Sequence, residues 1–216
     1  MISLGYLGVQ IAFTLETSQM SRIFQTLGAD PTKLGWFFIL PPLAGLVVQP
    51  GIGSLSDRTW IPKIGRRLPY LLIGMIFAVI TMIILPNVGS FGLGYGSLEA
   101  LIFGAVAIAI LDVASNMAMQ PFKMMIGDMV NDDQKSYAYG IQSMLSNSGA
   151  VIAAFFPFLL TSLGVANTAK KGVVPQSVVI SFYVGAAVLV ITSLFTIFRV
   201  HEYDPETYAR YHEIGR

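Results

Sequence analysis

The sequence predicts an all-α membrane protein, a bundle of six transmembrane helices, and three observations carry that prediction. Of 216 residues, 54% are hydrophobic and only 12% are charged, with a mean hydropathy of +0.67. A soluble domain carries about 25% charged residues, so this chain lacks the charge to cover a watery surface. Six apolar stretches each approach or exceed the ~20 residues a helix needs to cross hydrocarbon. Turn-rich or charged breaks separate them. The competing reading is a soluble core of six long helices, which would have to bury six consecutive spanning-length segments without lipid.

In order, the helices are expected at about 3–27, 33–56, 68–88, 97–126, 137–164 and 176–200. Residues 1–200 would then be one six-helix domain, and 201–216 a cytoplasmic linker segment. The first stretch lacks a basic leader and runs well past signal-peptide length, so it reads as a retained helix. Basic residues in short loops set the orientation. Arg58, Lys63, Arg66, Arg67, Lys135, Arg199, Arg210 and Arg216 fall on one side, against Lys33, Lys170 and Lys171 on the other. Eight against three places the second and fourth loops and both termini in the cytoplasm of a multi-pass protein of the cell (inner or plasma) membrane. Beyond the sixth helix, Asp204 suits an N-cap, Pro205 the first helical position and Glu206 the positive helix end. A short amphipathic helix at the cytoplasmic face is expected there, with a frayed tail as the alternative.

Composition also excludes function classes. A net charge of +1 without a basic stripe speaks against nucleic acid as a partner. The absence of cysteine removes disulfides and thiolate metal sites. There is no His-rich or His/carboxylate metal pattern, and His201 and His212 lie outside the spans. No metal, no cofactor and no enzymatic activity are expected; the lipid bilayer is the expected surrounding.

Charge within a span is expensive, at least about 2.5–3.5 kcal/mol for a carboxylate at the bilayer centre. Glu16 near the middle of helix 1 and Asp112 near the middle of helix 4 must therefore face a partner or a watery cavity. A carboxyl that takes up and releases a proton is what proton coupling requires, which makes Asp112 and Glu16 the candidates. The alternative is a buried ion pair, Glu16 with Arg22 or Asp112 with Lys123. At 100° per residue, Asp112, Asn116, Gln120 and Lys123 share one narrow sector of helix 4, with Met119 beside them. Such a stripe faces a cavity or the bundle interior rather than lipid. Thr14, Ser18 and Gln19 neighbour Glu16, and helix 5 offers Gln142, Ser146 and Asn147. Asn116, Gln120, Lys123, Gln19 and Gln142 are the candidate ligand-binding residues; interhelical bonding is the other reading of the amides. Phe13, Phe24, Trp36 and Phe37 are read as ligand stacking, packing or lipid anchoring.

The loop after helix 2 carries Gly53-x-x-x-Asp57-Arg58, then Gly65-Arg66-Arg67-Leu68-Pro69. Positive-inside anchoring alone would explain the arginines but not this pattern. Gly53, Asp57, Arg58, Gly65, Arg66 and Arg67 are read as a cytoplasmic gate that latches to Asp128 at the end of helix 4.

This loop resembles the signature between helices 2 and 3 of the major facilitator superfamily. Its six-residue spacer, Thr59 to Ile64, and the Gly-Arg-Arg-x-Pro ending are similar to sucrose/proton symporters and glycoside–pentoside–hexuronide:cation symporters. Leu111-Asp112-Val113-Ala114-Ser115-Asn116, continuing through Gln120-Pro121-Phe122-Lys123 to Gly127-Asp128, resembles their helix 4, and Gly8-Val9-Gln10 through Glu16-Thr17 their helix 1. The family usually has Arg where Lys123 stands.

The resemblance implies a transporter half built of 3+3 inverted repeats, helices 1–3 and 4–6. Glu16 then Arg22 in helix 1, and Asp112 then Lys123 in helix 4, match that repeat loosely. It further implies proton-coupled symport of a small-molecule sugar or glycoside by alternating access, with Asp112 as the proton site and proton or sodium as coupling ion. A C-terminal half would then be missing as partner, the chain being a fragment or a pair of copies. The other expectations are a different cargo, such as efflux of an amphipathic compound, or a non-transporting membrane sensor.

Overall fold

The computed structural model describes residues 2–30, 35 and 39–214. The described chain is helical: α1 Ile2–Thr26, α2 Leu40–Arg58, α3 Leu68–Ile84, α4 Leu98–Met129, α5 Asp132–Ser162, α6 Gln176–Arg199 and α7 Pro205–Ile214, with a 3₁₀ extension of α3 at Leu85–Phe91. The expected start of helix 2, together with Lys33, Trp36, Phe37 and Arg216, lies outside the described residues.

Local chemistry explains where the helices begin. Ser97 caps α4 by accepting the Ala100 amide at 3.1 Å, and Glu99 sits in the first turn. Pro69 occupies the first turn of α3, where its missing N–H costs no helical bond. The joint between α4 and α5 is tighter than its polar sequence suggests. Helix α5 starts at Asp132 rather than 137, and α4 runs to Met129 rather than 126, so only Val130 and Asn131 lie between. Asp132 and Asp133 favour the positive end of a helix, so the charged run prolongs a helix beyond the apolar segment instead of breaking it.

Helix α1 packs against α4, α5 and α6, while α4 packs against α1, α2 and α3, and α3 meets α6. Close approach is made by small residues. A Cβ on Gly74 of α3 would sit 2.8 Å from the Ala114 oxygen and the Ala118 nitrogen of α4. One on Gly8 of α1 would collide with Thr192 of α6. Around these seams lie Phe24, Ile108, Leu111, Phe122, Phe182 and Leu189, all fully buried.

Among the described residues, four segments are long and apolar enough to cross a membrane: 68–91, 98–129, 132–162 and 176–199. Six were expected. Helix α1, at 25 residues, is about 37 Å long and has the length. It lacks the hydropathy because Gln10, Thr14, Glu16, Thr17, Ser18, Gln19 and Arg22 interrupt it. The described part of α2 is 19 residues and ends in Asp57 and Arg58.

Candidate functional site

The seam between α1 and α4 holds the two carboxyls Glu16 and Asp112. Glu16 and Asp112 are each 0% exposed and close enough to interact electrostatically. None of their four oxygens has a hydrogen-bond partner among the described residues, and the same is true of Gln19 Oε1, Ser115 Oγ and Gln120 Oε1. Buried acceptors without donors carry the full cost of lost hydration. The ion pairs offered by the sequence do not form. Arg22 donates instead to the backbone oxygen and the Oδ1 of Asn167, at 3.0 and 2.9 Å, and Ser177 donates to the same Oδ1 at 2.8 Å. Lys123 lies roughly 16 Å along α4 from Asp112 at 1.5 Å per residue, too far to reach it.

The polar stripe of α4 points inward but is not one open wall. Asn116 donates to the Asp112 backbone oxygen at 2.9 Å and accepts from Gln49 Nε2 of α2 at 2.8 Å. Gln142 donates across to the Phe122 oxygen at 3.3 Å, tying α5 to α4 well below the carboxyl pair. Ser146 bonds Gln10 of α1, also at 3.3 Å, while Asn147 is exposed and bonds its own helix. Gln19 donates to Ser18 and leaves its carbonyl oxygen free. Phe24 is buried core and Phe13 is half-buried.

The second cluster sits at the basic end of the bundle. Arg67 is 3% exposed and reaches four groups: Asp57 at 2.6 Å, Asp128 at 3.1 Å, the Gly53 oxygen at 3.5 Å, and the Ser56 hydroxyl. Arg66 adds a second bond to Asp128 at 2.9 Å and lies 3.8 Å over the Tyr208 ring. Partial burial works against the Arg66 charge, but its bond to Tyr208 and the Asp128 carboxylate outweigh that and raise its pKa. The spacer from Thr59 to Ile64 folds into a tight return, with Ile61 and Gly65 exchanging backbone bonds at 3.1 and 2.9 Å and both Lys63 and Gly65 at positive φ. Arg58 is exposed and takes no part in the ion pairs of this cluster.

Residues 4–213 match the family described as MFS/sugar transport protein. The chain belongs to that family. Its relatives include the sucrose transport protein SUC4 of Arabidopsis thaliana, 26% identical over 206 residues, covering 90% of this chain and 40% of the relative. The sucrose transport protein SUT4 of Oryza sativa subsp. indica is 31% identical over 176 residues, covering 71% of this chain and 29% of the relative. The chain thus spans two fifths or less of these relatives. With family membership and four spanning helices in place, this family member is a multi-pass membrane protein.

Three groups in this family member escaped the sequence reading. Gln49, inside α2 just ahead of the Gly53 pattern, bonds the Asn116 side chain and so ties α2 to the Asp112–Asn116 turn. Glu202 and Tyr208 lie past the last span, and they close over the basic cluster. The signal that points to Glu202 is Gly65: a Cβ there would come within 2.7 Å of the Glu202 carboxyl.

Proposed function

We propose that this chain is the N-terminal part of a secondary active transporter that moves a sugar or glycoside by proton-coupled symport. The observation that carries the coupling is the Glu16–Asp112 pair, two fully buried carboxyls on facing helices. Among the described residues no cation pairs with them and no donor makes a well-formed hydrogen bond to their oxygens, the nearby Asn116 amide donating to the Asp112 backbone instead. Two like charges cannot both be ionised there. Proton uptake and release at this seam would change the charge of the site, which is what coupling transport to protons requires. Sugar as cargo is supported by the family and by the sucrose transport proteins among its relatives.

The packing pattern supports two copies of one three-helix unit. Exchanging α1, α2, α3 with α4, α5, α6 turns the α1–α6 contact into α4–α3, and α1–α5 into α4–α2; α1–α4 and α3–α6 map onto themselves. Each of these contacts is present. Residues 1–200 act as the unit, with α1 and α2 crossing the membrane alongside the four apolar helices. The basic end faces the cytoplasm, and Asp57, Arg66, Arg67 and Asp128 form the gate there, with the exposed Arg58 beside them. Gln19, Asn116 and Gln120 meet the sugar, while the bonded Gln142 and the distant Lys123 serve it less directly. A C-terminal half supplies the opposite wall.

In the full transporter, Asp112→Asn should reduce sugar-driven proton uptake in proteoliposomes at least tenfold while leaving sugar counterflow measurable. Wild-type proton uptake in that variant would sink the coupling assignment. Uptake that needs sodium and moves no proton would assign the site to the other ion. Absence of any disaccharide counterflow in the wild type would turn the reading to a different cargo.

A further inference from the structure

The segment after α6 does not trail away from the bundle. Three residues beyond the end of α6, the Glu202 carboxylate accepts the backbone amides of Arg66 at 3.1 Å, Arg67 at 2.9 and 3.1 Å, and Leu68 at 2.9 Å. These are the unpaired donors at the start of α3, where the positive helix end favours an anion. Asp204 caps α7 by accepting from Thr207 N and Oγ1, which sets the position of Tyr208 one turn on. The Tyr208 ring lies under the Arg66 guanidinium, and its hydroxyl donates to Asp128 Oδ1 at 3.3 Å. One short stretch thus grips the backbone of Arg66 and Arg67 with one residue, and their acidic partner with another. Gly65 makes room for it, being the one residue type that tolerates both a φ of +106° and the Glu202 carboxyl.

We infer that Glu202 and Tyr208 are positioning residues of the gate: a clip through which the chain leaving α6 governs how firmly Arg66 and Arg67 stay on Asp57 and Asp128. This rests on the gate reading of that cluster. The clip touches no part of the Glu16–Asp112 seam, so it bears on the rate at which the bundle changes state rather than on affinity for sugar. Tyr208 adds a second grip that does not depend on the helix start. Loss of either residue alone therefore loosens the cluster without emptying it.

The experiment uses the full chain as encoded, as wild type, Glu202→Gln, Glu202→Asp, Tyr208→Ala, Asp128→Asn and the Glu202→Gln/Asp128→Asn double variant. Two quantities are read: amide hydrogen exchange at Arg66, Arg67 and Leu68 in detergent, and transport of labelled sucrose in proteoliposomes. Glu202→Gln should speed exchange at those three amides at least tenfold and change the maximal transport rate at least threefold, with KM within twofold. Tyr208→Ala should change the rate in the same direction. Glu202→Asp should recover part of both effects. The double variant should transport no differently from Asp128→Asn alone. Unchanged exchange in Glu202→Gln, or rate effects that multiply in the double variant, overturns the clip and leaves the gate reading intact. Faster exchange with wild-type transport in both Glu202→Gln and Asp128→Asn overturns the gate reading, and the clip's role with it.

Discussion

The basic end and the α1–α4 seam treat charge in opposite ways. At the basic end every buried charge is matched: Arg67 binds two carboxylates, a hydroxyl and a backbone oxygen, and Asp128 binds two arginines and a tyrosine. In the seam, two carboxyls lie fully buried with no donor among the described residues. A matched cluster stores interaction energy in one arrangement and resists change. An unmatched pair is comfortable only when protonated or when something else arrives. The contrast sets a cluster whose charges are matched within the bundle against a pair whose charges are not.

The largest expected effect on the matched side comes from Arg67→Ala. Removing a buried guanidinium with two acidic partners should cost on the order of 3 kcal/mol of stability, at the low end for a buried pair because Asp57 is 55% exposed. Thermal unfolding in detergent measures it, and Arg67→Lys should recover less than half, since an ammonium lacks the planar fork. A cost under ~1 kcal/mol would mean that the matched cluster stores little energy.

Gly65→Ala is expected to be smaller, about 1–3 kcal/mol, from forcing a side chain into a positive φ. The same substitution in a Glu202→Ala background should cost less, because the collision with the Glu202 carboxyl is then gone while the backbone strain stays. Equal costs in the two backgrounds would show that Glu202 does not press on the loop.

The smallest effect concerns pH. The bonds from the Thr207 amide and hydroxyl hold the Asp204 pKa below the usual carboxylate value. The folded pKa is depressed, so the cap's contribution is complete above the unfolded value of ~3.9 and is lost as pH falls through the folded one. Docking of α7, followed by Tyr208 fluorescence or amide exchange, should be flat from neutrality down to about pH 5 and should loosen only in stronger acid. Asp204→Asn should abolish that acid step; an identical step in the variant would assign it to another carboxylate.

Most of the helical layout was readable because apolar length and turn chemistry act locally. Asp112 and Glu16 stood out for the same reason: a charge in an apolar run is visible without knowing its neighbours. What the sequence concealed depends on the third dimension. Spacing suggested Arg22 as a partner for Glu16, whereas its real partner, Asn167, is 145 residues away. The α4 stripe was seen as one surface, yet Asn116 is claimed by Gln49 and Gln142 by a backbone oxygen. The break expected at 127–136 shrank to two residues because charged residues outside hydrocarbon still make good helix. Among the described residues Glu202 accepts from the backbone amides of Arg66, Arg67 and Leu68, which no side-chain pattern reveals.

The Arg22–Asn167 contact also has a consequence for biosynthesis. Helix α1 precedes its partners in the chain, and it is the long helix that falls short of spanning hydropathy. Its Arg22 is satisfied by the α5–α6 loop, its Gln10 by Ser146 of α5, and Glu16 faces α4. The helix that leaves the ribosome before these partners is thus among the last to find its companions. Until the α5–α6 loop is made, the polar groups of α1 lack these partners, and water at the membrane surface or beside the insertion machinery would have to serve them.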